Sequence, residues 1–168
     1  LPDEARGNVY GRANDPDPTG YKDKGLIVAY GDDIYAVADC LGVCRFVTRG
    51  FNSPHLLGYQ DFCDSVAAAT GLEYTPASLR DVGRRTLDTE RLINAGFGLT
   101  RADDTLPKRY FDDPMPARKT KGHHVDREQF QLMLDEYYAE RGWDADGRVS
   151  AERIAEIDGL NDVIAGCS

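Results

Sequence analysis

Apolar residues spaced like one face of a helix mark the first regular segment of the chain. They recur at i, i+4, i+7, i+8 and i+11, and the set is Tyr30, Ile34, Val37, Ala38 and Leu41. One such face indicates an amphipathic helix, here predicted over residues 26–47, either continuous or divided at Gly31. Gly42 lies near its predicted end, where a glycine permits the backbone to unwind.

Two further helices are predicted from their start and stop signals. Pro54 follows a serine and Pro76 follows a threonine, and each pair suits a cap with proline at the first helical position. The first of these helices is expected to end at Gly71 and the second at about Gly96. The second carries four arginines that are expected to be solvated or salt-bridged: Arg80, Arg84, Arg85 and Arg91.

The second half of the chain adds one strong helix and one short one. Asp126 and Gln129 have the spacing of a capping box, and Gly142 is placed to end the helix that follows. Its apolar face is Phe130, Met133, Leu134, Tyr137 and Tyr138. Ser150 is expected to start a last short helix. No segment is convincing as a strand, so the predicted fold class is all-α, a bundle-like arrangement of helices.

The predicted domain organisation is a loop-rich segment followed by a single helical domain. Residues 1–24 are rich in Gly, Pro, Asp and Asn, and residues 25–168 hold the helices. Residues 97–125 contain too many prolines and glycines for a long helix, so they are expected to wrap the helices as an extended loop. A loop of this length is usually functional or anchored to a partner.

Charge and composition narrow the function classes. The net charge of −9 argues against nucleic acid or an anionic membrane as a partner, because both require a basic surface. The four cysteines, Cys40, Cys44, Cys63 and Cys167, form no C-x-x-C pair and no tight disulfide framework. With no signal peptide and no run of transmembrane length, a cytoplasmic location is expected. The absence of an initiator methionine before Leu1 suggests a fragment.

The end of the first helix carries the candidate chemistry. Asp39, Gly42 and Cys44 place a carboxylate, a flexible backbone position and a soft metal ligand within two turns. Arg45 follows the cysteine, and a thiolate near positive charge is the form that binds metal. A buried helix with small cysteines in its core explains the same spacing. From the residues alone, both interpretations stay open.

A resemblance to a known family changes that balance. Asp39-x-x-Gly42-Val43-Cys44 resembles the second pterin-binding motif, D-x-x-G-L-C, of the tungsten-containing aldehyde:ferredoxin oxidoreductases. Three later blocks are similar to the same family in the same order: Arg91 to Asn94, Gly96 to Arg109, and Met133 to Asp144. The likeness covers roughly residues 24–160 and identifies the chain as similar to the C-terminal helical domain of such an enzyme.

The resemblance implies roles for four residues. Cys44 would be the fourth ligand of a [4Fe-4S] cluster, with the other three in an upstream C-x-x-C-x-x-x-C run. Asp39 would accept hydrogen bonds from the amino edge of one of two pterins that carry tungsten or molybdenum. The backbone of Gly42 and Val43 would lie against that pterin, with Val43 replacing the usual leucine.

The complete enzyme would then oxidise small aldehydes to carboxylic acids and pass electrons to ferredoxin. The N-terminal part of the same enzyme would be a partner, a homodimer is left open, and the fragment alone would be inactive. Two alternatives remain: another member of the superfamily, of the benzoyl-CoA reductase type, and a helical interaction module without cofactors. No catalytic acid or base is assigned.

Other candidate sites have simpler explanations. Cys40, four residues before Cys44, could join it in a zinc site, but a buried filler role is favoured. The adjacent His123 and His124 are expected to be exposed in their loop.

Two acidic pairs also receive structural explanations. Asp103 and Asp104 could perform acid–base chemistry or bind a hard cation, but the arginines at 101 and 109 favour an ion-pair network that fastens the loop. Asp144 to Gly147 resembles a truncated calcium loop and is better explained as a turn between helices.

Overall fold

A computed structural model describes residue 17, residues 19–44 and residues 57–156. Six α-helices follow one another in these residues. They are α1 (Lys24–Cys40), α2 (Tyr59–Thr70), α3 (Pro76–Gly96), α4 (Arg109–Asp112), α5 (Arg127–Arg141) and α6 (Ala151–Glu156). In the described ranges the only β-pairing is an isolated bridge between Trp143 and Val149. The all-α prediction is confirmed.

Helix α1 is the centre of the fold and packs against both α3 and α5, while α2 packs against α3. The predicted apolar face is buried from Tyr30 to Ala38, but Leu41 is exposed beyond the end of the helix. Of the two alternatives for Gly31, the continuous helix is the one observed, since Gly31 lies inside it. The predicted end was wrong, because the helix ends at Cys40 rather than at residue 47. Burial of the flanking apolar side chains outweighs the modest helix propensity cost of one glycine.

Two other glycines allow the helices to approach closely. A methyl group on Gly83 of α3 would overlap the carbonyl oxygen of Asp33 on α1. A methyl group on Gly25 of α1 would overlap the backbone of Tyr137 on α5. The absence of a side chain at both positions lets α1 lie between its neighbours at backbone contact distance.

The caps follow the sequence signals closely. Thr75 accepts a hydrogen bond from the Ser78 amide, and Pro76 opens α3. Gly71 and Gly142 end α2 and α5 with positive φ angles. Asp126 accepts from the Gln129 amide and starts α5. The start predicted for α2, at Ser53 and Pro54, lies outside the described residues. Within the described residues, the helix begins at Tyr59.

The loop over residues 97–125 contains short helical turns, namely 3-10 turns at Arg101–Asp103 and Arg118–Thr120 and the single-turn helix α4. It is fastened to α5 by the edge-on contact of the Phe111 and Phe130 rings, whose centroids are 5.4 Å apart. Within the described ranges, no helix combines the length and apolar character needed to cross a bilayer. The division of the chain at residues 24 and 25 stays a prediction.

Candidate cofactor-binding site

The segment from Asp39 to Cys44 is the C-terminal cap of α1. The amide of Val43 donates to the carbonyl of Ala38 at 2.8 Å, and the amide of Gly42 donates to that of Asp39 at 3.1 Å. These are the two bonds of a Schellman cap. Gly42 has φ +67°, a left-handed conformation that only glycine adopts without strain. The spacing of the motif is therefore explained by the geometry of a helix end.

Val43 anchors this cap to the interior. Its side chain is partly buried and packs against the core cluster that contains Ile34 and Val37, as an apolar residue following a Schellman glycine usually does. Anchoring at Val43 leaves Asp39, Gly42 and Cys44 exposed at one end of the helix. A methyl group on Gly42 would meet nothing within 4 Å, so the backbone here is open to a bound group.

The cap offers a matched pair of glycine variants. Gly42→Ala is expected to lower the free energy of unfolding by about 1 kcal/mol, because it forces alanine into a left-handed conformation. Gly31→Ala is expected to raise it by about 0.5–1 kcal/mol, since that glycine lies mid-helix with open space around it. Urea unfolding followed by circular dichroism measures both changes. Equal effects of the two substitutions would contradict the assigned backbone conformations.

The electrostatics at this end of α1 do not favour an aspartate for helix stability. The C-terminus of a helix carries partial negative charge, and an acidic side chain there is opposed by roughly 0.3–1 kcal/mol. The last turn of α1 holds no basic residue, yet Asp39 lies in it. The position of Asp39 is therefore not explained by the helix dipole.

Cys40 was predicted to be buried, and this prediction was wrong. Cys40 and Cys44 are both exposed free cysteines, and only Cys63 is buried among the described cysteines. Burial raises the pKa of the Cys63 thiol. The Cys40 sulfur lies 3.6 Å from the Thr86 hydroxyl of α3. Its side chain is exposed because Cys40 is the last helical residue, at the end of the surface that α3 covers.

The chain can contribute only part of a metal site from the residues described. No group of three or more His, Cys, Asp or Glu side chains in these ranges comes together as a metal site. A four-thiolate cluster bound at Cys44 would therefore draw its other ligands from elsewhere. The exposed thiol, the open glycine and the outward carboxylate fit the edge of a cofactor held between two parts of a protein.

Sequence reasoning missed a buried ion-pair cluster two turns before the cap. Arg141 and Asp33 are each 1% exposed and pair directly. Arg80 donates to the same aspartate at 3.0 Å, and Arg141 also donates to the Ala29 carbonyl at 3.2 Å. A signal was present, since Asp33 falls on the apolar face three residues after Tyr30. A charge on a buried face requires a partner.

The predicted ion-pair network of the loop exists, with different partners. Asp104 accepts from both terminal nitrogens of Arg91, at 3.0 and 2.7 Å, and from the Tyr138 hydroxyl. The pKa of Tyr138 is raised to about 12, mainly by burial and secondarily by this hydrogen bond to a carboxylate. The hydroxyl therefore remains a donor at neutral pH. Arg101 pairs with Asp135 instead, at 2.7 Å. Asp103 accepts from the amide and the hydroxyl of Thr100 at 2.8 and 3.2 Å, so Asp103 and Asp104 both have structural partners.

The remaining candidates also have structural roles. His123 and His124 are exposed, as predicted. The Asp144 side chain accepts from the amides of Asp146 and Arg148 at 2.9 and 2.8 Å, which forms the predicted turn between helices. The buried Asp88 accepts from the Trp143 indole at 2.8 Å. Asp88 also pairs with Arg153, at 2.8 Å.

Comparison with known proteins assigns the class. The profile described as "Aldehyde ferredoxin oxidoreductase, domains 2 & 3" matches residues 3–158. The match spans all six helices and the capped turn at the end of α1. The chain belongs to the aldehyde ferredoxin oxidoreductase family.

Individual relatives agree with this assignment. The chain is 38% identical over 136 residues to the tungsten-containing aldehyde ferredoxin oxidoreductase of Pyrococcus furiosus, covering 80% of this chain and 21% of the relative. It is 39% identical over 126 residues to the corresponding protein of Thermococcus kodakarensis, covering 74% and 19%. Similarity to the aliphatic sulfonate oxidoreductase WOR-like subunit of Pyrococcus furiosus is lower, 27% over 133 residues, covering 76% and 20%. The chain thus spans about a fifth of the length of these relatives.

Proposed function

We propose that the chain is the C-terminal helical domain of a tungsten or molybdenum bis-pterin oxidoreductase that also holds a [4Fe-4S] cluster. The whole enzyme would oxidise aldehydes to carboxylic acids, with ferredoxin as electron acceptor, in the cytoplasm. The metal and its pterins would supply the oxygen and electron chemistry, and this domain would bind and orient them. By itself the domain is expected to be inactive.

The observation that carries this proposal is the capped turn at the end of α1. Its two backbone bonds fix Gly42 and Val43, and the resulting geometry exposes Cys44 and Asp39 together. Cys44 would give one thiolate to the cluster. Asp39 would accept from pterin N–H groups in charge-assisted hydrogen bonds. The open backbone at Gly42 would lie against the pterin, where any side chain would obstruct it.

Aldehydes are the favoured substrate class because the chain has higher sequence identity to the aldehyde oxidoreductase relatives than to the sulfonate oxidoreductase one. The relatives named as aldehyde ferredoxin oxidoreductases are 38% and 39% identical to the chain, and the sulfonate oxidoreductase relative is 27% identical. Aldehyde oxidation is therefore the proposed reaction, and a related chemistry on a different substrate is the alternative.

The two exposed cysteines provide a matched test of cluster ligation. In the full-length enzyme purified without oxygen, Cys44→Ser is expected to remove most of the roughly four irons per chain, because a hydroxyl is a poor cluster ligand. Cys40→Ser, at the same helix end, is expected to retain them. Iron content and the cluster's absorption spectrum measure both variants.

Alkylation gives a second view of the same site. Cys44 in the native enzyme is expected to react with iodoacetamide at least about ten-fold more slowly than after iron removal by a chelator, since a metal-bound thiolate is not available as a nucleophile. Full iron retention in Cys44→Ser, or equal alkylation before and after chelation, would overturn the proposed role of Cys44.

A further inference from the structure

We propose that a groove at the N-terminal ends of α1 and α5 is the docking surface for the part of the same polypeptide that precedes Asp17. This N-end groove has a volume of about 720 Å³, which is within the usual range of binding clefts. One wall is the segment leading into α1, with Tyr21, and the other is the loop over residues 106–125. The inference rests on the proposed function only in taking the chain as part of a longer enzyme.

The groove is open, and apolar side chains form much of its lining together with charged ones that include Lys24, Arg109 and Asp113. Tyr110 and Met115 line it with 45% and 50% of their surface exposed. Phe130 and Met133 line it from α5, and Leu106 lines it from the loop. Contiguous exposed apolar surface of this kind marks an interaction site. Single exposed apolar side chains would need no such explanation, but these converge on one groove.

The groove is also preformed. Met115 and His123 pair across the loop, with the Met115 amide donating to the His123 carbonyl at 2.8 Å. The Gly122 amide returns a bond of the same length to Met115, and the Val125 amide donates to the Tyr110 carbonyl at 2.8 Å. Because these backbone bonds hold the wall in place, binding of a partner segment would not cost the conformational entropy of ordering the wall.

The path of the chain identifies the occupant. The Tyr21 hydroxyl accepts from the Asp126 amide at 2.8 Å, which fixes the segment before α1 against the start of α5. The Asp17 carbonyl accepts from the Lys24 ammonium group at 2.7 Å and from the Gly20 amide at 3.2 Å. Asp17 thus comes two residues before Thr19, which lines the groove. Because the polypeptide that precedes Asp17 is covalently attached this close to the groove, its effective concentration there would far exceed that of a free partner.

The groove and the candidate cofactor site lie at opposite ends of α1. That helix has 17 residues, a length of about 25 Å at 1.5 Å per residue. A contact at the N-end groove would thus be separate from the contacts that bring cluster ligands to Cys44. The preceding part of the enzyme would hold this domain at two places, one at each end of its central helix.

Photo-crosslinking in the full-length enzyme tests the occupant. A benzoyl-phenylalanine placed at Met115 is expected to form most of its cross-links with peptides that precede Asp17 in the same chain. The control is the same group at Leu132, which is 58% exposed on α5 and does not line the groove. It is expected to yield at least about five-fold fewer such cross-links, because the attached segment is concentrated at the groove. Mass spectrometry of digested monomer and dimer bands identifies the partners.

Three outcomes would overturn the inference. They are cross-links confined to a second copy in the dimer band, cross-links to a different protein, and equal yields from both positions. Met115 oxidation by hydrogen peroxide is an independent measurement, expected to be much slower in the native enzyme than in guanidinium, and equal rates would also overturn it. Full iron retention in Cys44→Ser together with the expected cross-links would refute the proposed function alone. Iron loss in Cys44→Ser without the expected cross-links would refute only this docking.

Discussion

Arg141→Met is expected to lower the free energy of unfolding by about 3–5 kcal/mol, the usual cost of leaving one buried charge without its partner. Arg141 is almost completely buried and pairs with Asp33, which is equally buried. Arg80 is the only other described cation bonded to that carboxylate, and its side chain is 36% exposed. Methionine approximates the volume of the arginine stem, so most of the loss is electrostatic. Urea unfolding followed by circular dichroism measures it.

A double-mutant cycle separates the pair from its surroundings. Adding Asp33→Leu to Arg141→Met removes the unpaired carboxylate, so the double variant is expected to be more stable than the sum of the two single losses. Arg127→Met is the matched control, because its partner Asp112 and Arg127 itself are both more than half exposed. Exposed pairs contribute about 1 kcal/mol at most. A similar loss in Arg127→Met and Arg141→Met would contradict the importance of burial.

Asp88→Ala is expected to have the second largest effect, a loss of about 3 kcal/mol, because it leaves two donors without an acceptor. Asp88 is buried on α3 and accepts from the indole of Trp143 and from Arg153 of α6, both at 2.8 Å. The variant is expected to weaken the attachment of α6 and of the turn that precedes it. Thermal unfolding and tryptophan fluorescence report the loss and its location.

Asp81→Ala is the control for Asp88→Ala, since it removes an aspartate from an exposed position of the same helix. Its expected change is within about 0.5 kcal/mol, as for most surface substitutions. Fluorescence of Trp143 that is unchanged in Asp88→Ala would show that the indole bond contributes nothing to its position.

The helices were predictable from sequence because their signals are local. Gly71 and Gly142 ended helices as expected, and Pro76 opened one. The sequence left both a continuous and a divided helix open at Gly31, and the helix is continuous because the apolar residues around that glycine are buried. Cys40 was misjudged because it is the last residue of α1, where the side chain stays exposed although its sulfur contacts Thr86 of α3.

The buried charges were not predictable in the same way. Asp33 and Arg141 are 108 positions apart in the sequence, and no local pattern relates them. The family resemblance drew attention to Arg141 as part of a recurring block without indicating what it contacts. For the candidate site, the motif predicted which residues matter, and the structure added the cap geometry that explains their spacing. The assignment of cofactors to Asp39, Gly42, Val43 and Cys44 stays a proposal.

The separation of Asp33 from Arg141 has a consequence for the order of events during synthesis. Helix α1 emerges from the ribosome long before α5, and its buried aspartate has no Arg141 until α5 follows it. The packing around the central helix is therefore completed only once α5 has been made. A cofactor bound at the end of that helix would find its site fixed only after that point in synthesis.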